Sequence, residues 1–152
     1  YFPDRMLYLF DIFEGFDQRD WEIEKKKKTK ITKKTIIDGT DNFKTTNEKI
    51  VMHKMQNPEK CIVKKGYFPD SAKDVEDNVS FVNLDMDLYA PMKAALEFFY
   101  KRMNRGGVIL MHDYYSPNWT GVADAVRDYE CVNGKLVKFP IGDGWSIAIV
   151  KV

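Results

Sequence analysis

The chain has 152 residues, 44% of them hydrophobic, and a formal net charge of +1. That size and composition predict a single domain, residues 1–152, with one sizeable core. The balanced charge gives no field that would draw nucleic acid or a membrane surface, and no apolar run approaches the roughly 18 to 20 residues that span a bilayer.

The chain opens on Tyr1-Phe2-Pro3-Asp4-Arg5, which is neither a signal peptide nor an initiator methionine. It reads as a turn ahead of a strand, in the middle of something longer. Met6 to Phe10 predicts a short buried parallel strand with an acid, Asp11, at its carboxyl end. Asp11 to Asp20 reads as loop, and Lys25 to Lys34, with seven lysines, as a solvated segment. Thr45 and Glu48 have capping-box spacing for a helix that carries Val51 and Met55 on one face and ends at Pro58. His53 on that helix reads as a surface residue.

Cys61 to Val63 begins a second strand, followed by Gly66-Tyr67-Phe68-Pro69. Ser80 to Leu84 is a third, ending in Asp85-Met86-Asp87. Pro91 suits the first turn of a helix whose Met92, Ala95, Leu96, Phe99 and Met103 form a buried face. Gly106-Gly107 turn the chain into a fourth strand, Val108 to Met111, which ends at His112-Asp113. Thr120 is placed to cap a helix with Val122, Ala125, Val126 and Tyr129 on one face. After the Asn133-Gly134 turn, Leu136 to Phe139 and Trp145 to Val152 read as two strands joined by Gly142-Asp143-Gly144. They are close enough to be antiparallel neighbours. Alternating strands and helices predict an open, mostly parallel α/β sheet. Cys61 and Cys131 have no metal-type spacing, and a disulfide between them is not expected; this usage predicts a cytoplasmic protein.

In such sheets ligands bind beyond the carboxyl ends of the strands. Three strands here end in acids: Asp11, then Asp85 with Asp87, then Asp113 beside His112. Each acid alone reads as a helix cap or a solvated loop residue. Together they point to a site, because clustered acids repel one another unless a cation or polar ligand offsets them. Asp85 and Asp113 fall on adjacent strand ends, where hard oxygen donors suit magnesium. His112 is a third ligand or a packing residue. Asp87 and His112 are the candidate proton acceptors, and Tyr89 and Tyr114 the candidate walls of an acceptor pocket.

Several segments, in order, resemble the macrocin O-methyltransferase-like (TylF/MycF) family. They are Leu7-Tyr8-Leu9-Phe10-Asp11-Ile12-Phe13-Glu14-Gly15-Phe16, Lys65-Gly66-Tyr67-Phe68-Pro69-Asp70-Ser71-Ala72, Asn83-Leu84-Asp85-Met86-Asp87-Leu88-Tyr89-Ala90-Pro91, Gly106-Gly107-Val108 through Asp113-Tyr114, and the Gly121 to Tyr129 helix. The resemblance implies a Rossmann-like class I methyltransferase sheet with an antiparallel final strand, S-adenosylmethionine as cofactor, and magnesium. It implies Asp11 for the cofactor ribose and Gly66, Tyr67 and Phe68 near the adenine. It implies Asp85 and Asp113 for metal, with His112 beside them as a candidate ligand. Many members carry two aspartates before the tyrosine, where this chain has His112-Asp113. The family's first strand and its glycine-rich turn are absent ahead of Tyr1, which leaves a gap between the Met6 and Ser80 strands. A saccharide or other small-molecule acceptor is implied, with no nucleic acid or membrane partner. Two other readings stand beside it: a glycosyltransferase using Asp85-Met86-Asp87 as a D-x-D motif, and a non-catalytic fragment that associates with another chain, including a homo-oligomer.

Overall fold

The computed structural model describes residues 5–27 and 47–152. Contacts divide the chain into two compact units: Tyr1–Asp17 with Lys33–Asp74, and Gln18–Thr32 with Val75–Val152.

In the first unit, β1 (Leu7–Asp11) pairs in parallel with β2 (Cys61–Lys65), Leu7 facing Cys61 and Asp11 facing Lys65. The Gly66 N–H donates to the Asp11 carbonyl at 3.0 Å and carries the ladder one step further. The sequence predicts a fully buried strand here. Instead Met6 and Leu7 are 46% and 48% exposed, because among the described residues β1 has a neighbour on one edge only. Helix α2 (Glu48–Lys54) is capped by Asn47, whose side chain accepts the Lys49 N–H at 2.8 Å. The expected cap, Thr45, lies outside the described residues. Nor does Pro58 stop this helix: it opens a separate 3-10 turn, Pro58–Lys60, that leads into β2. His53 is exposed, as expected, and both cysteines are free.

The second unit holds β3 (Val79–Leu84), α3 (Tyr89–Arg102), β4 (Met103–Met111), α4 (Gly121–Asn133), β5 (Val137–Pro140) and β6 (Ile147–Val150). Its strand order is β3-β4-β6-β5, with β3 and β4 parallel and β6 antiparallel to both neighbours. The two sheets are separate: among the described residues no strand joins β1 to β3, as the resemblance implies. α3 and α4 pack together, and α3 lies against β3 and β4. Met92, Ala95 and Leu96 of α3, Val122 and Ala125 of α4, Ile109 and Met111 of β4 and Ile149 of β6 are all fully buried. Burying one large aliphatic side chain contributes about 1.5–3 kcal/mol.

Three local expectations are overturned here. Met103 is buried but begins β4 rather than extending the α3 face. Gly106 and Gly107 lie within β4, in a bulge: Val79 pairs with Met103, yet Phe81 pairs with Val108. A Cβ on Gly107 would stand 2.6 Å from Met103 Cγ and 2.8 Å from the Asn104 carbonyl, so this fold-back needs glycine. Thr120 occupies the N-cap position of α4 but makes no capping hydrogen bond.

The segment read as loop and solvated lysines contains α1 (Gln18–Lys27), which buries Asp20, Trp21 and Glu24. Glu24 accepts the Tyr89 backbone N–H at the start of α3. The residue before α3, Leu88, has no side-chain acceptor, so a carboxylate from another helix supplies the cap and complements the helix dipole. Gly121 abuts this point: a Cβ there would meet Glu24 Oε1 at 2.8 Å and Tyr89 Cβ at 3.0 Å. Gly121→Ala is therefore expected to destabilise the chain by about 1–3 kcal/mol in urea unfolding; an unchanged midpoint would show that Glu24 yields freely.

At the other end of α4, buried Glu130 accepts the Leu136 N–H at 3.0 Å and pairs with Lys135 at 3.1 Å and with Lys138. Burial pushes this carboxyl up, but Lys138, the Leu136 N–H and Lys135 together outweigh it and hold it down at about 2, against an ordinary 4.5. The stabilisation is therefore present above pH 4.5 and is lost as pH falls toward 2. Solvent around the lysines screens it to on the order of 1–2 kcal/mol. Glu130→Gln is expected to lower stability by that amount at pH 7, with the gap to the parent chain narrowing below pH 4.5 in parallel denaturant titrations.

Candidate active site

Pairing of β3 with β4 sets the central geometry. Leu84 faces Met111, and the His112 N–H donates to the Leu84 carbonyl at 2.9 Å. The residues that follow the two strands, Asp85 and His112-Asp113, therefore emerge side by side. His112 Nδ1 lies 2.8 Å from Asp113 Oδ2 and 3.3 Å from Asp85 Oδ1. Each of the three residues offers a ligand atom, and those atoms all lie within 4.8 Å of one another. Asp113 is buried, His112 half-buried and Asp85 exposed.

Asp87 joins this cluster and hydrogen-bonds Asp113. Burial first, then that bond and the charges of Asp113 and Asp85, push its carboxyl up to about 8. This favours the protonated form of Asp87, which relieves its repulsion from Asp113 and Asp85. Asp87 and Asp113 both sit in the left-handed backbone region, with φ of 57° and 58°. Aspartate tolerates that region better than most residues, and its concentration here marks a constrained site. The hydrogen bond to Asp113 raises the His112 pKa above 6.5 against the effect of burial, and the charges of Asp85, Asp113 and Asp143 add to the rise. Loss of solvent on the inner side of the exposed Asp85 carboxyl raises it, the charge of Asp113 adds to the rise, and the imidazole pulls it back down.

The candidate cofactor residues Asp11, Gly66, Tyr67 and Phe68 come together in the first unit, at the carboxyl ends of β1 and β2. Asp11 Oδ1 accepts the Phe13 N–H at 2.6 Å, which shapes the turn after β1. Gly66 has φ of 134°. Tyr67 is half-buried and Phe68 buried, with Phe68 edge-on to Phe10 at 5.7 Å. Sequence reasoning missed Ser71, whose buried Oγ has no hydrogen-bond partner among the described residues. Its hydroxyl-bearing position in the Lys65–Ala72 segment was the available signal.

Sequence reasoning also missed Asp143. Its carboxylate accepts the Trp145 and Ser146 N–H groups at 2.9 and 2.8 Å. The Ser146 hydroxyl and those two amides hold it down at about 2, and its charge acts on His112. Tyr89 is committed to packing: its hydroxyl donates to Asp128 at 2.8 Å beneath Lys27. Tyr114 meets Tyr115 edge-on at 5.0 Å.

A parallel α/β sheet with an antiparallel partner strand, and polar residues gathered where adjacent strands end, is the fold of class I methyltransferases. The sequence profile described as macrocin-O-methyltransferase (TylF) matches residues 2–143, and the chain belongs to that family. Its fold is similar to the O-methyltransferase NovP, at 17% identity and TM-score 0.64, covering 98% of this chain and 61% of that one. It is likewise similar to the calicheamicin methyltransferase CalS11, at 17% identity and TM-score 0.66, covering 99% and 62%. An O-methyltransferase from Bacillus cereus, in complex with S-adenosylhomocysteine, matches at 13% identity and TM-score 0.52, covering 96% and 63%. The chain thus spans less than two thirds of the length of each of these three proteins. Among curated proteins, none matches significantly in sequence. Among the described residues no helix is long and apolar enough to cross a membrane.

Replacing Asp113 by Asn removes the main contribution that raises His112. The imidazole is expected to titrate closer to 6.5 in proton NMR of the metal-free chain, and an unchanged value would mean that Asp113 does not hold Nδ1.

Proposed function

We propose that this chain carries cofactor-side and acceptor-side residues of an S-adenosylmethionine-dependent O-methyltransferase that acts on a sugar hydroxyl. The convergence of Asp85, His112 and Asp113 within 4.8 Å carries the reading, together with membership of the family. The saccharide acceptor is suggested by CalS11, described as a TDP-rhamnose 3'-O-methyltransferase.

On the cofactor side, Asp11 offers its second carboxylate oxygen to ribose hydroxyls. The orphaned Ser71 hydroxyl fits a polar group of the adenosine, and Gly66 to Phe68 line the adenine. On the acceptor side, the Asp85 and Asp113 carboxylates would hold a divalent cation such as magnesium, with the His112 imidazole beside it as the base. Bound there, the cation would lower the pKa of an alcohol.

The chain's own groups do the rest. Asp113 holds His112 through Nδ1 at 2.8 Å, so in the neutral imidazole Nε2 is the nitrogen that takes the hydroxyl proton. Asp87 holds Asp113 in place through their shared proton. The acceptor oxygen then forms a bond to the methyl carbon as the sulfur–methyl bond breaks, and S-adenosylhomocysteine leaves. Alignment of the two reactants supplies up to roughly 7–11 kcal/mol of the lowered barrier.

The test combines S-adenosylhomocysteine calorimetry with a methyl-transfer assay on TDP-rhamnose, with magnesium, manganese or chelator. Asp11→Ala is expected to weaken S-adenosylhomocysteine at least tenfold. Asp85→Ala should leave that affinity intact and lower turnover about 100-fold. His112→Asn should abolish turnover while sparing metal binding; a loss of metal affinity instead would make His112 a ligand and not the base. No S-adenosylhomocysteine binding by the folded chain sinks the reading.

A further inference from the structure

Two large aromatic side chains stand exposed beside the acid cluster: Tyr115 at 51% and Trp145 at 45%. Tyr115 lies two residues beyond Asp113, and Trp145 two residues beyond Asp143, whose charge reaches His112. The loops that carry them are joined, because the Tyr115 N–H donates to the Trp145 carbonyl at 3.0 Å. Each side is braced: Asp143 accepts two amides of the Trp145–Ser146 turn, and the Tyr115 ring rests edge-on against Tyr114 at 5.0 Å. Among the described residues, neither the Trp145 indole N–H nor the Tyr115 hydroxyl has a hydrogen-bond partner. The chain thus presents two apolar ring surfaces with free polar tips on a fixed backbone.

We propose that Tyr115 and Trp145 form a stacking platform for the pyranose ring of the acceptor saccharide, next to Asp85, His112 and Asp113. This rests on the acceptor reading above, and it assigns the residues that select the sugar. The chemistry matches in two ways. An aromatic face carries negative charge density and a rim of polar atoms. A pyranose offers polarised C–H groups on one face and hydroxyls at its edge, which the free indole N–H and phenol can bind. A nucleotide base is the other common stacking ligand. An acid stands two residues before each ring, Asp113 and Asp143, and a neutral sugar meets no repulsion from them.

The probe is methyl α-L-rhamnopyranoside, titrated into the chain and followed by saturation-transfer NMR from the protein's aromatic protons. Binding in the millimolar range is expected. Trp145→Ala and Tyr115→Ala should each weaken it at least tenfold, whereas Tyr115→Phe, which keeps the ring, should weaken it less than threefold. Thermal melts control for folding, and Trp145→Phe gives a second ring-retaining check. S-adenosylhomocysteine affinity should be the same in all five proteins. Rhamnoside binding unchanged in Trp145→Ala overturns the platform, as does absence of rhamnoside binding in the parent chain, or selective binding of thymidine diphosphate at these residues. Rhamnoside binding that needs both rings, with no affinity for S-adenosylhomocysteine, would remove the methyl-transfer reading and leave the platform standing.

Discussion

The register between β3 and β4 is the constraint on which the acceptor-side site depends. Leu84 opposite Met111, continued by the His112 N–H on the Leu84 carbonyl, brings an exposed acid and an imidazole to within 3.3 Å. Side chains alternate between the faces of a strand, so a slip of one residue would reverse this arrangement. The slip is blocked by burial: Ile109 and Met111 are fully inaccessible, and so is Ile149 on the neighbouring β6. The apolar interior thus orients a polar cluster that would not assemble by its own electrostatics.

A second constraint holds the loop between β3 and α3. Only Asp85 to Leu88 separate Leu84 from Tyr89, and both ends are fixed. The sheet ladder anchors one end, and Glu24 anchors the other by capping α3. Asp87 takes up the required bend with a positive φ, and its carboxyl is directed onto Asp113. Gly121 is part of the same arrangement, since any side chain there would push against Glu24. A helix far from Asp85 in sequence therefore bears on the geometry of Asp85 to Asp87.

How much of this is legible in the sequence depends on whether the cause is local. The α3 and α4 faces follow from spacing, because Met92, Ala95, Leu96, Val122 and Ala125 repeat with the helical period. The pairing of Asp85 with Asp113 follows from two strands that end in acids. Helix α1 is hidden because its buried side is short: Trp21 and two acids, beside a lysine run that reads as solvated. Asp20 and Glu24 look like surface residues until the fold supplies the Tyr89 amide that Glu24 caps. Gly106-Gly107 reads as a turn because glycine pairs usually are; its place inside β4 comes from a bulge against Val79 and Phe81, a non-local fact. The protonation of Asp87 is hidden for the same reason, since it arises from burial and from Asp113, which lies far along the chain.

Four ionisable groups share this corner: Asp85, Asp87, Asp113 and His112. Three carboxylates so close would repel strongly, and the cluster relieves that in two ways. The Asp87 carboxyl is pushed up to about 8, toward its protonated form, and His112 is biased toward its charged form. An aspartate at position 112 would add a negative charge where the imidazole now supplies a neutral or positive group, so the cluster would depend more on a bound cation to offset it. With His112, part of that compensation comes from the chain itself. The imidazole thus offsets part of the repulsion that its acidic neighbours would otherwise impose on one another.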